Sequence, residues 1–171
     1  MAARGVTPPA RWLTMQLPVR SRLVVTIFAV VLFFLPSAKV YGETCERVVY
    51  ELNSGLRRGI DEAELVDILR TLNRSGNRSL PPKFVTKQQA RSYGWRPGRD
   101  LWSVRRLRGT SMGGDRFRNM ERRLPERNWR EADLGYHGGH RGAKRLIFSD
   151  DGLRYVTVDH YRRFIEVPPC R

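Results

Sequence analysis

Lys144-Arg-Leu-Ile-Phe-Ser-Asp-Asp-Gly-Leu-Arg-Tyr-Val-Thr-Val158 decides the fold. Two runs rich in β-branched and aromatic residues flank Asp150-Asp151-Gly152, a turn sequence whose glycine accepts the positive φ of a tight hairpin. Working outward, Trp129-Arg-Glu-Ala-Asp-Leu-Gly-Tyr136 and Arg163 to Val167 read as further strands, and the strand pattern begins after Gly113-Gly114. Helical signals come earlier. Asp61-Glu62-Ala63-Glu64 resembles a capping box, Leu65, Ile68, Leu69 and Leu72 repeat at helical spacing, and Asn73 with Gly76 ends the segment. A second helix follows Leu80-Pro81-Pro82, with Thr86 as N-cap, Gln89 at its third position and Gly94 as its stop; Lys87 falls in its first turn. A short third helix is expected over Asp100 to Arg106. Helices early and strands late give an α+β domain: short helices packed on one face of a four- or five-stranded antiparallel sheet.

On such a sheet residues two apart share a face, so Glu131 and Asp133 point the same way, as do Arg145 and Ile147 on the next strand. Carboxylates and arginines can then meet across strands. His160 follows a strand in Val158-Asp159-His160-Tyr161, where a loop can project it over the sheet. Taken singly, a strand glutamate beside an arginine is more often a surface ion pair than a base, and a lone histidine is usually structural. His137 and His140 are spaced like a weak metal pair, but no third ligand is evident.

The N-terminus has a different character. Arg4, Arg11, Arg20 and Arg22 precede the apolar run Leu23 to Leu35, which Pro36 and Ser-Ala-Lys-Val-Tyr-Gly42 follow. That is a signal-peptide layout, with cleavage expected after Gly42, and the run is short for a membrane span of roughly 17 to 25 residues. An uncleaved anchor is the rival reading. The expected organisation is a signal peptide over 1–42, an N-terminal helical segment over 43–79 and a sheet-bearing part over 80–171 of the same domain, 171 residues being room for one domain. Cys45 and Cys170 sit near the two ends of the exported part, the arrangement of a terminus-to-terminus disulfide. Thirty-two Lys+Arg against 17 Asp+Glu give a net charge of +15. Residues 1–42 carry five cations and no acid, so +10 remains without them. A surplus of that size favours polyanionic partners, nucleic acid or anionic membrane.

A chain of motifs in a fixed order narrows the choice. Phe84-Val-Thr-Lys87-Gln-Gln-Ala90 with Gly94-Trp95, Gly113-Gly114-Asp115-Arg-Phe117-Arg-Asn119-Met-Glu121 with Leu124-Pro125, Trp129-Arg-Glu131-Ala-Asp133, Arg141, Arg145 and Asp159-His160-Tyr161 follow one another from Leu80 to Val167. Over that span the chain resembles the barnase-like secreted microbial guanyl ribonucleases. The resemblance implies the microbial ribonuclease fold and places Glu131 as general base and His160 as general acid. Lys87, Arg141 and Arg145 would surround the phosphate, and Asp133 would orient an arginine. Guanine would be read by Arg118, Asn119, Met120 and Glu121, with Phe117 and Tyr161 sandwiching the base.

These residue types suit RNA cleavage without a metal or other cofactor. A base takes the proton from the ribose 2′-hydroxyl and an acid protonates the departing 5′-oxygen. Each role contributes roughly 10²–10⁴-fold, so the remaining acceleration must be electrostatic, from cations around the negatively charged phosphorane. The implied course is transphosphorylation to a 2′,3′-cyclic phosphate, then slower hydrolysis with the roles exchanged. Two departures stand out. Met120 lies where relatives commonly carry arginine, which bears on guanine preference, and Lys144 stands where a barnase-like member carries an acid. Single-stranded RNA is the expected substrate, and a barstar-like acidic inhibitor is the partner implied by resemblance. The protein is expected to be extracellular, monomeric and without stable membrane association after signal cleavage. Two other classes fit the same charge: a cationic secreted nucleic-acid-binding or antimicrobial protein, and a ribonuclease toxin with a cognate immunity protein.

Overall fold

The computed structural model describes residues 42–171; apart from Gly42, the expected signal peptide lies outside the described residues. Two helices open the domain, α1 over Cys45–Ser54 and α2 over Glu62–Ser75. Helix α1 was not apparent from the sequence pattern. Thr44 caps it by accepting from Arg47 N–H, and Val48 and Val49 are buried beneath it. In α2 the expected apolar stripe, Leu65, Ile68, Leu69 and Leu72, is buried, and Gly76 ends the helix at φ +59°, a left-handed conformation that glycine adopts without strain. The capping box expected there is only half formed. Asp61 accepts from Glu64 N–H, but the Glu64 carboxylate turns away to Lys83 Nζ (2.7 Å) and Gly135 N–H (2.6 Å).

The sheet has six strands in sequential order: β1 Phe84–Val85, β2 Ser111–Arg116, β3 Trp129–Asp133, β4 Arg145–Ser149, β5 Arg154–Thr157 and β6 Ile165–Glu166. From β2 to β6 every pairing is antiparallel, as expected, while the two-residue β1 pairs with β2 in parallel. Strand β2 corrects the reading of Gly113-Gly114 as the point before which no strand occurs. Glycine is a poor strand former, yet a Cβ on Gly113 would lie 2.7 Å from Phe84 and 2.8 Å from Leu80, so close packing demands glycine there. Helix α3, Lys87–Ser92, begins with the capping box between Thr86 and Gln89. The expected third helix is instead two 3₁₀ turns, Leu101–Ser103 and Arg105–Leu107, because Val104 between them is extended (φ −89°, ψ 114°).

Strand alternation then divides the sheet. Ala132, Leu146, Phe148 and Val156 face α1 and α2 in one buried cluster, which also holds Ile60 and Val167. Trp129, Glu131 and Asp133 point to the opposite side, in register with Ser149, Ile147 and Arg145. A second cluster, with Ala90, Trp95, Leu101, Leu107, Met112 and Tyr136, seats α3 at the β2 end of the sheet.

Cys45 and Cys170 are joined, 125 residues apart in sequence, and Glu43 and Arg171 hydrogen-bond backbone to backbone beside them. A ring of that size removes unfolded-state entropy worth about 5 kcal/mol at most in the chain-closure picture. The double variant Cys45→Ser/Cys170→Ser is expected to unfold about 2–5 kcal/mol more easily in urea than the oxidised protein. An unchanged midpoint and slope would show that the disulfide contributes nothing to stability.

Candidate active site

The site is built on the sheet face away from α1 and α2. Its first requirement is a register shift. Gly113 pairs with Ala132 but Asp115 pairs with Glu131, so Gly114, at φ +91°, is the extra residue of a β-bulge. The bulge sets Asp115 opposite Glu131, and Asp115 Oδ2 accepts the backbone N–H of Lys87 at 2.9 Å. That bond fixes the first turn of α3 over the strand. The Lys87 ammonium accordingly reaches Glu131 Oε1 at 3.1 Å. The other oxygen, Oε2, accepts from Tyr161 Oη at 2.7 Å. Glu131 is 8% exposed, so two donors hold a nearly buried carboxylate in one orientation.

One pleat along, Asp133 gathers two arginines. Arg141 donates through Nε and Nη2 to both Asp133 oxygens at 2.6 Å, a bidentate pair that arginine's planar fork makes possible. Arg145 Nε lies 2.8 Å from Asp133 Oδ1 as an ion pair off the line of a hydrogen bond, while its Nη1 donates to Gly142 and Lys144 carbonyls at 2.8 and 2.7 Å. Arg145 is 3% exposed and Arg141 about one-third exposed, so Arg145 is a fixed charge and Arg141 presents an open edge. The Asp133 bonds keep the Arg141 guanidinium ionised to still higher pH than usual, against the cost of partial burial.

His160 sits at the end of the sheet under backbone strain. Both His160 (φ +60°) and Tyr161 (φ +66°) are left-handed, a conformation costing non-glycine residues on the order of 1–3 kcal/mol each. Local bonds hold it. Thr157 Oγ1 accepts Tyr161 N–H at 3.0 Å and donates to Asp159 Oδ1 at 3.1 Å, and the same Asp159 oxygen accepts Arg163 N–H at 3.0 Å. His160 N–H bonds Ala143 carbonyl at 3.2 Å, across from the Arg141–Arg145 segment. His160 is exposed and makes no ion pair with Glu131; Tyr161, which donates to Glu131, has its ring centroid 5.7 Å from the imidazole.

The residues expected to read a base line one pocket of about 180 Å³, formed by Phe117 to Glu121 with Tyr161, Arg123 and Phe164. Asn119, at φ +44°, shapes its loop with its side-chain amide, donating to Leu124 carbonyl at 2.7 Å and accepting Leu124 N–H at 3.1 Å. Phe117 and Tyr161 lie against each other, centroids 5.3 Å apart and 28° from parallel. A base between them requires the rings to part. Met120 is 82% exposed and Glu121 is paired with Arg123 Nε at 2.7 Å. Arg123 also donates to the Tyr161 and Arg162 carbonyls at 3.3 and 2.6 Å, tying the loop after β2 to the histidine loop. Sequence reading missed Arg123 and Phe164: one is an arginine among many, and the other packs only because the last loop folds back. His137 and His140 are both exposed.

Two outcomes follow. Replacing Asp133, 2% exposed, with asparagine leaves Arg145 buried without its counter-ion. The variant is expected to lose about 3–5 kcal/mol in urea unfolding, and a loss under 1 kcal/mol would show that Arg145 finds other support. Burial and then the Glu131 charge raise the Tyr161 phenol from 10.0 to about 12. Since the protonated phenol is favoured on folding, its contribution is complete below pH 10 and is lost as pH rises through about 12. Absorbance titration should show a late-ionising phenol that Tyr161→Phe removes, leaving the similarly raised Tyr136. A single uniform step near pH 10 would contradict this.

Residues 70–168, more than half of the chain, match the family model for ribonuclease. Over 92 residues, 52% of this chain, it is 46% identical to a ribonuclease of Heyndrickxia coagulans, of which it covers 83%. It is also 46% identical over 92 residues to ribonucleases of Bacillus intermedius and Bacillus pumilus, spanning little more than half of each at 56%. The match bears out the barnase-like resemblance of the motifs from Leu80 to Val167. The chain belongs to the ribonuclease family, a family of RNA-cleaving enzymes.

Proposed function

We propose that this protein is a secreted, metal-independent endoribonuclease that cuts single-stranded RNA 3′ of guanosine through Glu131 and His160. One observation carries the reading: the Glu131 carboxylate is held nearly buried, between Lys87 Nζ and Tyr161 Oη, beside the arginines on Asp133. Glu131 takes the proton from the 2′-hydroxyl, the 2′-oxygen attacks phosphorus, and the bond to the 5′-oxygen breaks as His160 gives that oxygen a proton. The product is a 2′,3′-cyclic phosphate. Water then attacks it, with His160 as base and Glu131 as acid. Lys87, Arg141 and Arg145 stabilise the charge that accumulates on the phosphoryl oxygens in both steps, the larger share of the acceleration. DNA lacks the nucleophile and resists.

Guanine preference is supported by the pocket from Phe117 to Glu121, where backbone N–H groups and the Glu121 carboxylate would meet the base edge and Phe117 and Tyr161 its faces. Arg118, Asn119 and Met120 complete the loop. Export is supported by the arginines and apolar run before residue 42 and by the disulfide. All the named groups come from one chain, so a monomer is sufficient. The surplus of arginine suits an acidic inhibitor of the barstar kind.

Short RNAs differing at one base, incubated in chelator, test the reading. The expected product ends in guanosine 2′,3′-cyclic phosphate, and Glu131→Gln and His160→Ala are each expected to lower kcat by about 10²–10⁴-fold. Activity lost in chelator, or surviving both substitutions, sinks the mechanism; cleavage after every base sinks only the specificity.

A further inference from the structure

The family match begins at residue 70, so α1 and the loop that follows it lie outside it. That loop is built rather than loose. Asn53 clasps it, accepting Ile60 N–H at 2.7 Å and donating to Ile60 carbonyl at 3.3 Å and to Glu62 at 2.7 Å, while Ile60 itself is buried in the core. Lys144, which stands where a barnase-like member carries an acid, donates its ammonium to Gly59 carbonyl. The loop is thereby fastened to the start of β4, one residue from Arg145.

At its tip stand Arg57 and Arg58, both exposed. They line a cleft of about 380 Å³ with Arg162, Arg163, Asp159 and His160. Four guanidinium groups face one carboxylate there, and Asp159 is already engaged by Arg163 at 3.3 Å. Among the described residues, Arg57 and Arg58 have no hydrogen-bonded or ionic partner for their side chains. Concentrating unpaired like charges costs repulsion, and tying down the loop that carries them holds them together despite it.

We propose that this cleft is an additional phosphate-binding subsite, in which Arg57 and Arg58 hold the backbone of the RNA segment that leaves the active site. The direction follows from the proposed chemistry, on which this inference rests. His160 protonates the departing 5′-oxygen, so the nucleotides beyond that oxygen run past the imidazole into the cleft it borders. Guanidinium forks suit phosphodiester oxygens, and a groove of fixed cations binds a single strand without regard to base.

The test compares Arg57→Ala/Arg58→Ala with the unaltered protein on two kinds of substrate. A dinucleoside monophosphate ends at the scissile step, whereas the same dinucleotide with three nucleotides added on its 3′ side reaches the cleft. The 3′ extension is expected to raise kcat/KM several-fold for the unaltered protein and not for the double variant. For the longer substrate the slope of log kcat/KM against log salt should fall by about 1.4, at roughly 0.7 per single-strand phosphate contact. Arg57→Lys/Arg58→Lys should restore the slope. Fluorescence anisotropy with the longer oligonucleotide carrying a 2′-deoxy group at the scissile position reads binding without cleavage. If the protein cuts no RNA but the double variant loses affinity and salt slope, the catalytic reading fails and the subsite stands. Equal extension effects and equal binding in both proteins overturn the subsite while leaving catalysis intact. A loss confined to binding of poly-glutamate would assign the cleft to an acidic protein, which also overturns it.

Discussion

The Asp133 carboxylate is the constraint on which the rest of the site depends. A buried arginine is tolerable only with a counter-ion and hydrogen-bond acceptors, and Arg145, on the neighbouring strand, has its counter-ion in Asp133 and its acceptors in the Gly142 and Lys144 carbonyls. Those bonds also pin the connection between β3 and β4, and with it Arg141. The connection in turn offers Ala143 carbonyl to His160 N–H. One negative charge thus organises two arginines and the backbone against which the histidine loop rests. The same carboxylate limits those cations: Arg141 gives Nε and Nη2 to Asp133, so its open edge and not its whole guanidinium faces outward.

Glu131 has the complementary arrangement. Its oxygens are divided between an ammonium and a phenol, and neither partner lies on its own strand. The lysine comes from α3 through the Gly114 bulge and the Asp115 bond, and the phenol from a left-handed loop after β5. Three distant stretches of chain must therefore be correctly folded before this carboxylate has its neighbours. The strain at His160 and Tyr161 accompanies the same arrangement, in which consecutive side chains line two different pockets. Thr157, at the end of β5 and paired with Arg145, and Asp159 just beyond it hold that loop.

Much of this was legible in the sequence, and what was not has physical causes. The hairpin at Asp150-Asp151-Gly152, the Thr86–Gln89 capping box and the α2 stripe rest on local rules, and the structure agrees with them. Strand β2 was hidden because two glycines lower strand propensity, and only the approach of Leu80 and Phe84 requires them. The expected helix over Asp100 to Arg106 broke into turns at an extended valine that nothing local specifies. The motif order brought Glu131, Asp133, Arg141, Arg145 and Lys87 into view, and their side chains meet in ion pairs on Glu131 and Asp133. Arg57, Arg58 and Arg123 could not be distinguished among 32 cations, because their significance depends on which loops they face.

The position of the disulfide also sets the order in which the molecule can be completed. A chain that emerges N-terminus first offers Cys45 no partner until residue 170 has followed it. All six strands are by then available to pair, so the covalent ring closes around a sheet that can already exist. Among the described elements, the helix that precedes the extra loop is therefore the first to appear and the last to be locked, and oxidation of the two thiols, not the synthesis of the chain, dates the finished molecule.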